Sequence, residues 1–382
     1  MAPTDPIVVT FLGTVSAVPS LTRSNSSLAL RLNEDVWLFD CGEATLRQLQ
    51  RSRVKMGSIR KIFITHLHAD HICGLIPLLC TILDSIGGTA GDSGAAGSTA
   101  NSNAHPLEIY GPRGLRAYIR SGLTYTHSFI QKPYVVHELR CPSDPDFQSA
   151  LPLQPQEHEG RDIAQGEENV WRDVFTGKRL SVSAAPLLHT CPCVGYVVHE
   201  APMPGRMNPK LYESHIKRNG ITKKVGHLYG RLSRGEAITL PDGTVLHGPP
   251  PRPGRKIVIL GDTHDPSAIA PLAMDADLLV HEATLAHLPG VDPSTKRADT
   301  YESVEERAKS RGHSTPQMAG AFAKRIGAKR LVLNHFSRRY SGGRDARARN
   351  IMEAIGRLAE GEFGKPVECA RDLDEFVVKL AN

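Results

Sequence analysis

Four side chains able to bind a metal ion fall within six residues, in the run His66-Leu67-His68-Ala69-Asp70-His71. Apolar runs flank them, Ile62-Phe63-Ile64 before and Leu75-Ile76-Pro77-Leu78-Leu79 after. In a turn leaving a strand, His66 and His68 lie to one side and share one ion, while Asp70 and His71 turn toward a second position. Two ions roughly 3.5–4 Å apart polarise a phosphoryl oxygen and generate a hydroxide between them. Imidazole with carboxylate suits zinc, and manganese or iron is compatible with the same ligand types. The plain alternative is a histidine-rich surface turn.

Further ligands follow downstream. Leu188-His189-Thr190 comes after the apolar run from Leu180 to Leu187, Gly261-Asp262-Thr263 after Lys256-Ile257-Val258-Ile259-Leu260, and Asn334-His335-Phe336 after Leu331-Val332-Leu333. Each sits at the end of a predicted strand, which is how an α/β scaffold delivers side chains remote in sequence to one edge. A lone His or Asp after a strand is more often a cap or a satisfied polar residue. Occurring together after the first motif, they point to one site.

With its metal motifs in this order the chain resembles the metallo-β-lactamase superfamily of hydrolases. Other stretches carry the resemblance to one family, tRNase Z, the endonucleases that remove 3′ trailers from precursor tRNA. They are Phe11-Leu12-Gly13-Thr14 with Pro19, Arg23 and Asn25, then Ser26-Ser27-Leu28-Ala29-Leu30, and His189-Thr190-Cys191-Pro192-Cys193-Val194-Gly195-Tyr196. His281-Glu282-Ala283-Thr284, Arg311-Gly312-His313-Ser314-Thr315 and His335-Phe336-Ser337-Arg338-Arg339-Tyr340 complete the set, which runs over nearly the whole chain. The resemblance implies an α/β fold, a four-layer αβ/βα sandwich with two sheets face to face, helices outside and the site at one edge. It implies two zinc ions, with manganese or another divalent metal as the alternative. His66, His68 and His189 would hold one ion, Asp70, His71 and His335 the other, and Asp262 would bridge. It further implies that Asp70 orients the attacking hydroxide and takes its proton, and that His313, held by Glu282, protonates the leaving ribose oxygen. His313 also reads as part of the N-cap region of a helix starting near Ser314-Thr315-Pro316-Gln317, and Glu282 as a buried structural acid. Arg23, Asn25 and Ser26 are candidates for binding phosphate near the cleavage point, with Thr14 lining the same pocket. Arg338 is a further candidate phosphate contact, and Tyr340 a packing residue.

At 382 residues the chain fits one large sandwich domain with insertions, the size of a short-form enzyme, and shows no internal repeat. Its seven cysteines are scattered, and nothing resembles a disulfide framework, so a reducing compartment is expected. Cys191 and Cys193 read as small packing residues beside the ligand loop, with a structural-zinc role as the lesser alternative. No signal peptide or membrane-length apolar run appears, and the predicted strand Ile7-Val8-Val9-Thr10-Phe11 begins at once; cytoplasm or nucleus is the expected location. Residues 86–105, almost entirely Gly, Ser, Ala, Thr and Asn, read as a flexible spacer. Residues 142–173 carry eight acids against Arg161 and Arg172 and read as a solvated excursion.

The segment 202–250 differs in character. Between Arg206 and Arg234 it holds Arg206, Lys210, Lys217, Arg218, Lys223, Lys224, Arg231 and Arg234 against the single acid Glu213, in a chain whose formal excess is only +6. A charge run alone is usually a solvated face. The resemblance implies an arm at this place that grips the tRNA elbow, with Lys210, Lys217, Arg218, Lys223, Lys224 and Arg231 as candidate contacts giving salt-dependent, sequence-independent docking. The stretch Val225-Gly226-His227-Leu228-Tyr229-Gly230-Arg231-Leu232 departs from the family pattern, with His227 where Pro is expected. A homodimer in which one subunit's arm serves the other's site is also implied. Two rivals remain: a small-molecule phosphodiesterase or arylsulfatase-like hydrolase, which needs the metals without the arm, and an idle RNA-binding relative, which needs the arm without the metals.

Overall fold

The computed structural model describes residues 6–84, 105–145 and 151–380. The 86–105 stretch read as a spacer lies, apart from His105, outside the described residues. Strand Leu278–Glu282 is buried at all five positions and Leu331–Asn334 at all four. Strands apolar on both faces belong in the middle of a layered α/β fold, covered on each side.

Two large sheets result. The first runs, in spatial order, Glu375–Val378, Ile7–Gly13, Ser27–Leu32, Asp35–Phe39, Ile59–Phe63, Leu107–Pro112, Tyr134–Arg140 and Glu157–His158, with Asp162–Ala164 also paired to Tyr134–Arg140. The second runs Trp171–Thr176, Leu180–Leu187, Cys193–Glu200, Lys256–Ile259, Leu278–Glu282, Leu331–Asn334 and Val367–Cys369. From Asp35–Phe39 to Tyr134–Arg140 the neighbours are parallel, as they are from Lys256–Ile259 to Val367–Cys369. Parallel strands end on the same side, so the loops after them gather at one edge of each sheet.

Aromatic rings fill the space between the sheets. Phe63 stacks on Phe39 and on Tyr110 with centroids 5.0 Å apart, and Tyr196 of the second sheet meets Phe39 at 5.9 Å and Phe63 at 5.3 Å. Its hydroxyl donates to the Ile64 carbonyl at 2.7 Å, so the polar tip of a fully buried ring is satisfied. On the outer side of the first sheet, Leu75, Leu78 and Leu79 of helix Leu75–Ile82 and Leu115, Ile119 and Leu123 of helix Leu115–Tyr125 join its core. Phe322 of helix Pro316–Arg325 and Ile351, Ile355 and Phe363 of helix Ala346–Phe363 do the same for the second. The longer helix starts where Asp345 accepts from the Ala348 amide and stops at Gly364, whose φ of 77° suits the left-handed cap. The layer order is the αβ/βα sandwich implied by the family resemblance.

Two organisational expectations need correction. Where composition suggests a solvated excursion over 142–173, Glu157–His158 and Asp162–Ala164 extend the first sheet and Trp171 opens a strand of the second. Glu157 is buried there because Arg120 grips both its oxygens, at 2.8–3.0 Å. The chain also divides into two compact units instead of one domain. Residues 177–181, 199–255 and the segment from 379 form the second, wider than the 202–250 arm read from the sequence. It has its own small core of Tyr212, Ile216, Leu232, Ile238, Leu240 and Leu246. Among the described residues no helix is long and apolar enough to cross a membrane.

Candidate metal centre

Strand ends bring the seven candidate ligands together. His66 and His68 lie in the turn after Ile59–Phe63, and Asp70 and His71 on the short helix Ala69–Ile72 that follows. His189 comes just after Leu180–Leu187, Asp262 after Lys256–Ile259, and His335 between Leu331–Asn334 and Phe336–Ser337. Two clusters form. One ligand atom from each of His66, His68 and His189 lies within 4.8 Å of the others, and the same holds for Asp70, His71, Asp262 and His335.

Asp262 joins the clusters through its two oxygens. Oδ2 lies 3.7 Å from His66 Nε2 and 3.9 Å from His189 Nε2, while Oδ1 lies 3.4 Å from His71 Nε2 and 3.3 Å from His335 Nε2. Asp70 Oδ2 closes the second cluster, 3.3 Å from His335 Nε2. Burial opposes the charge on Asp262, but His335, His71 and His66 around it hold the carboxyl well below its usual range.

Three observations fit these residues to metal ions. Among the described residues buried His66 Nε2 has no hydrogen-bond partner, a costly state for a polar atom unless something else fills its lone pair. His71 Nε2 and His335 Nε2 face each other at 3.0 Å, as two donors directed at one ion would. Burial, with the nearby His71, keeps His66 well below the usual imidazole range and therefore in the neutral, ligating form. The far nitrogens are oriented as metal-bound imidazoles require. His66 Nδ1 meets Thr65 Oγ1 at 3.0 Å, His71 Nδ1 meets Asp40 Oδ2 at 2.7 Å, His189 Nδ1 donates to the Gly312 carbonyl at 2.8 Å, and His335 Nδ1 meets Thr284 Oγ1 at 3.2 Å.

Beside the centre stands an imidazole–carboxylate pair. Glu282 ends strand Leu278–Glu282, and its Oε1 lies 3.0 Å from His313 Nδ1. The Thr263 amide and Thr284 hydroxyl also donate to Glu282, at 2.9 and 2.6 Å, fixing the carboxylate. Burial works against a charged His313, but Glu282 and Asp262 outweigh it and raise the imidazole to about 9. Helix Pro316–Arg325 begins nearby, with Thr315 as its N-cap and Pro316 in the first turn. His313 therefore combines both readings, sitting just before a capped helix and hydrogen-bonded to Glu282.

A family model described as Anti-Pycsar protein Apyc1 matches residues 7–82, which take in four of the candidate ligands. Zinc phosphodiesterase ELAC protein 1 of Bos taurus is 40% identical, with 97% of this chain and 95% of that protein covered. The solved structure of human tRNase Z, short form, is 34% identical, covers 98% of this chain and 100% of its own, and has a TM-score of 0.60. The chain belongs to the tRNase Z family. At 17% identity and a TM-score of 0.54, the metallo-beta-lactamase fold protein YhfI from Bacillus subtilis, matched over 98% of this chain and 100% of its own, supports the fold alone.

For a tRNase Z, the N-terminal substrate candidates fall in unexpected places. Arg23 is only 1% exposed; its guanidinium donates to Thr14 Oγ1 at 2.6 Å, the Ala370 carbonyl at 3.0 Å and the Tyr340 carbonyl at 2.9 Å, over the Phe336 ring. Burial pushes its pKa down to about 10. Arg23 is thus a packing clamp and not a phosphate contact, because every face of it is already occupied. Thr14, also buried, donates to Asp372 at 2.7 Å. Asn25 and Ser26 are buried as well. Asn25 Nδ2 donates to the Ala17 carbonyl at 3.0 Å and the Ala17 amide to Asp70 Oδ2 at 2.6 Å, so Asn25 positions the candidate ligand Asp70 through the backbone. Tyr340 packs fully buried as expected, and Arg338 is exposed.

Asp40, Thr284 and Gly312 were not singled out for these roles from the sequence. Asp40 follows strand Asp35–Phe39 in Phe39-Asp40-Cys41-Gly42, the same strand-end placement that marks the ligands. Gly312 has φ of 76°, and a Cβ there would stand 2.5 Å from His189 Nδ1, so only glycine fits that turn. In the second unit, Lys210, Lys217, Lys223 and Lys224 are exposed, whereas Arg218 pairs with Asp242 at 2.7 Å and Arg231 with Glu236 at 2.7 Å. The departure around His227 is a helix, Val225–Ser233, with His227 exposed.

Proposed function

We propose that this protein is a zinc-dependent endoribonuclease that removes the 3′ trailer from precursor tRNA, cutting after the discriminator nucleotide and leaving a 3′-hydroxyl on the tRNA. The observation that carries it is Asp262 directing one oxygen to each of two histidine clusters, with His313 and Glu282 alongside. His66, His68 and His189 would hold one zinc ion and Asp70, His71 and His335 a second, with Asp262 shared. The chemistry zinc supplies when bound is Lewis-acid polarisation of the phosphoryl oxygens and acidification of a water.

The chain's own groups do the rest. Asp70, with Oδ2 fixed by the Ala17 amide, orients the attacking water and accepts its proton. Glu282 holds His313 by Nδ1, leaving Nε2 to give a proton to the ribose 3′ oxygen as it leaves, since an alkoxide is a poor leaving group at neutral pH. Exposed Lys210, Lys217, Lys223 and Lys224 supply positive charge for the tRNA backbone. The protein acts as a homodimer in which the second unit of one subunit serves the centre of its partner.

The test is incubation with a labelled precursor tRNA carrying a 3′ trailer, beside bis(p-nitrophenyl) phosphate. A short glycine linker can replace 204–251, because Met203 and Arg252 already pair with a 2.9 Å hydrogen bond in each direction. Chelator-sensitive cleavage after the discriminator, lost in His66→Ala, is expected, with the 204–251 deletion abolishing tRNA cleavage while sparing the small diester. Hydrolysis of the small diester by the wild type with precursor tRNA left intact would overturn the reading.

A further inference from the structure

Past the candidate ligand His335 the chain gathers arginines that the centre does not use. Between Arg338 and Met352 stand Arg338, Arg339, Arg344, Arg347 and Arg349, against the single acid Asp345. Asp345 is committed to the helix that follows, capping Ala346–Phe363 by accepting from the Ala348 amide at 2.9 Å. Arg339 is turned inward, its Nε 3.3 Å from Asp292 and its guanidinium donating to the Ala286 carbonyl at 3.2 Å. Arg338, Arg344 and Arg347 are exposed, and among the described residues none of the three has a carboxylate partner. Guanidinium groups without counter-charge on one short segment make a local positive field.

A charge run is usually a solvated face, and two observations set this one apart. The loop that carries it is pinned. Tyr340 is buried, its carbonyl accepting from Arg23 Nε at 2.9 Å and its hydroxyl from the Ala286 amide at 2.9 Å. The Gly342 amide donates to Thr22 Oγ1 at 3.0 Å, and a Cβ at Gly342 would stand 2.6 Å from the Thr22 carbonyl oxygen. The loop is also tied to the centre. Arg338 comes three residues after His335, a span of at most ~11 Å. Thr22 is five residues, at most ~18 Å, from Ala17, whose amide donates to Asp70 Oδ2 at 2.6 Å. Loop, arginines and centre belong to the same compact unit.

We propose that Arg338, Arg344 and Arg347 form a phosphate-binding surface beside the centre, which holds the RNA backbone within a few nucleotides of the scissile bond. The inference rests on the reading of the protein as a precursor-tRNA endonuclease. Arginine suits the task because it stays charged and its planar fork meets phosphate oxygens in pairs. Contacts of this kind fix register without reading sequence, so the surface helps set which phosphate meets the centre. The phosphates belong to the tRNA side of the cut or to the trailer side, and the chemistry is the same for both.

Arg344→Glu/Arg347→Glu tests the surface while keeping the helix, since glutamate in a first turn favours a helix N-terminus. Single-turnover cleavage is followed against enzyme concentration at several salt concentrations, with one precursor tRNA carrying a single trailer nucleotide and another a long trailer. At low salt the half-saturating concentration should rise at least ~10-fold. The maximal rate should be unchanged, as expected when only uniform binding is lost. The slope of log affinity against log salt should fall by about 1 for each arginine removed, in this variant and in Arg338→Ala. Arg344→Lys/Arg347→Lys, which keeps the charge, should keep the slope. A rise with both substrates assigns the phosphates to the tRNA side of the cut, and a rise confined to the long trailer assigns them to the trailer. Unchanged half-saturation and slope with both substrates would overturn the proposal and leave an ordinary solvated face. So would a lower maximal rate with the slope unchanged, the mark of a merely structural role. A wild type that leaves precursor tRNA intact would instead remove the endonuclease reading, and this inference with it.

Discussion

Asp262 is the residue on which the centre turns, because among the described residues no other carboxylate sends an oxygen to both histidine clusters. The candidate ligands were legible in the sequence because their chemistry is restricted to a few residue types and their placement to strand ends. His313 was legible only through the family resemblance, and its role is separable from metal binding. In His313→Ala, precursor tRNA cleavage under single-turnover conditions should fall ~10²–10⁴-fold, the usual contribution of a positioned general acid. Zinc content should be unchanged, and hydrolysis of bis(p-nitrophenyl) phosphate far less affected, since p-nitrophenolate leaves without a proton. Equal losses on both substrates would exclude the proton-donor role. Asp40 escaped the sequence reading because it works through His71, thirty-one residues away, and nothing local announces that partnership. Replacing it with Asn should weaken zinc binding ~10–100-fold in a chelator competition, with near-ultraviolet circular dichroism preserved. Undiminished affinity would reduce Asp40 to packing. Arg23 shows the opposite failure, since its residue type suggests phosphate while its 1% exposure leaves it nothing to bind outside the protein.

Among the elements, the long buried strands and the capped helices could be read from their apolar pattern, but the short edge strands could not. Glu157–His158 and Asp162–Ala164 are two and three residues long, too short to show a period-two signal, and they sit in a stretch whose acids suggest solvation. What orders that stretch is a set of partners remote in sequence, Arg120 for Glu157 and the strand Tyr134–Arg140 for both segments. That strand also carries a titration. His137 is nearly buried, its Nδ1 accepts from the Arg161 amide at 3.0 Å, and its ring stacks on Tyr110. An acceptor nitrogen cannot be protonated, and burial together with Arg161 depresses the imidazole from 6.5 to about 4. The unfolded chain therefore binds a proton between those values that the folded chain does not. The stability is fully present above pH 6.5 and is lost as pH falls toward 4. Melting temperatures recorded across that range should drop more steeply for the wild type than for His137→Gln, whose amide oxygen can accept the same bond without titrating. Parallel curves would show that His137 contributes nothing to acid sensitivity.

At the scale of the whole molecule, a basic segment with its own apolar core is the feature on which the proposed function departs from that of a small-diester hydrolase. The segment's positive charge was legible, but its net strength was not. Glu236 and Asp242 lie beyond the counted run and fold back onto Arg231, Arg234 and Arg218, leaving exposed Arg206 and the exposed lysines as the carriers of the field. The apolar residues from Tyr212 to Leu246 are too sparse to mark a separate core in the sequence, yet they assemble one. A self-contained unit of this kind can serve a centre other than its own. If it does so in a homodimer, two inactive proteins should complement each other. One is His313→Ala with 199–255 intact, the other has an intact centre and the linker in place of 204–251. Each alone should leave precursor tRNA essentially uncut. Co-refolded at equal amounts, they should regain up to about a quarter of wild-type activity: random pairing makes half of the dimers mixed, and each mixed dimer holds one productive combination of arm and centre. Recovery of that size, lost when the intact centre also carries His66→Ala, is the expected outcome. No recovery from mixed dimers whose formation has been verified would mean that each arm serves its own subunit.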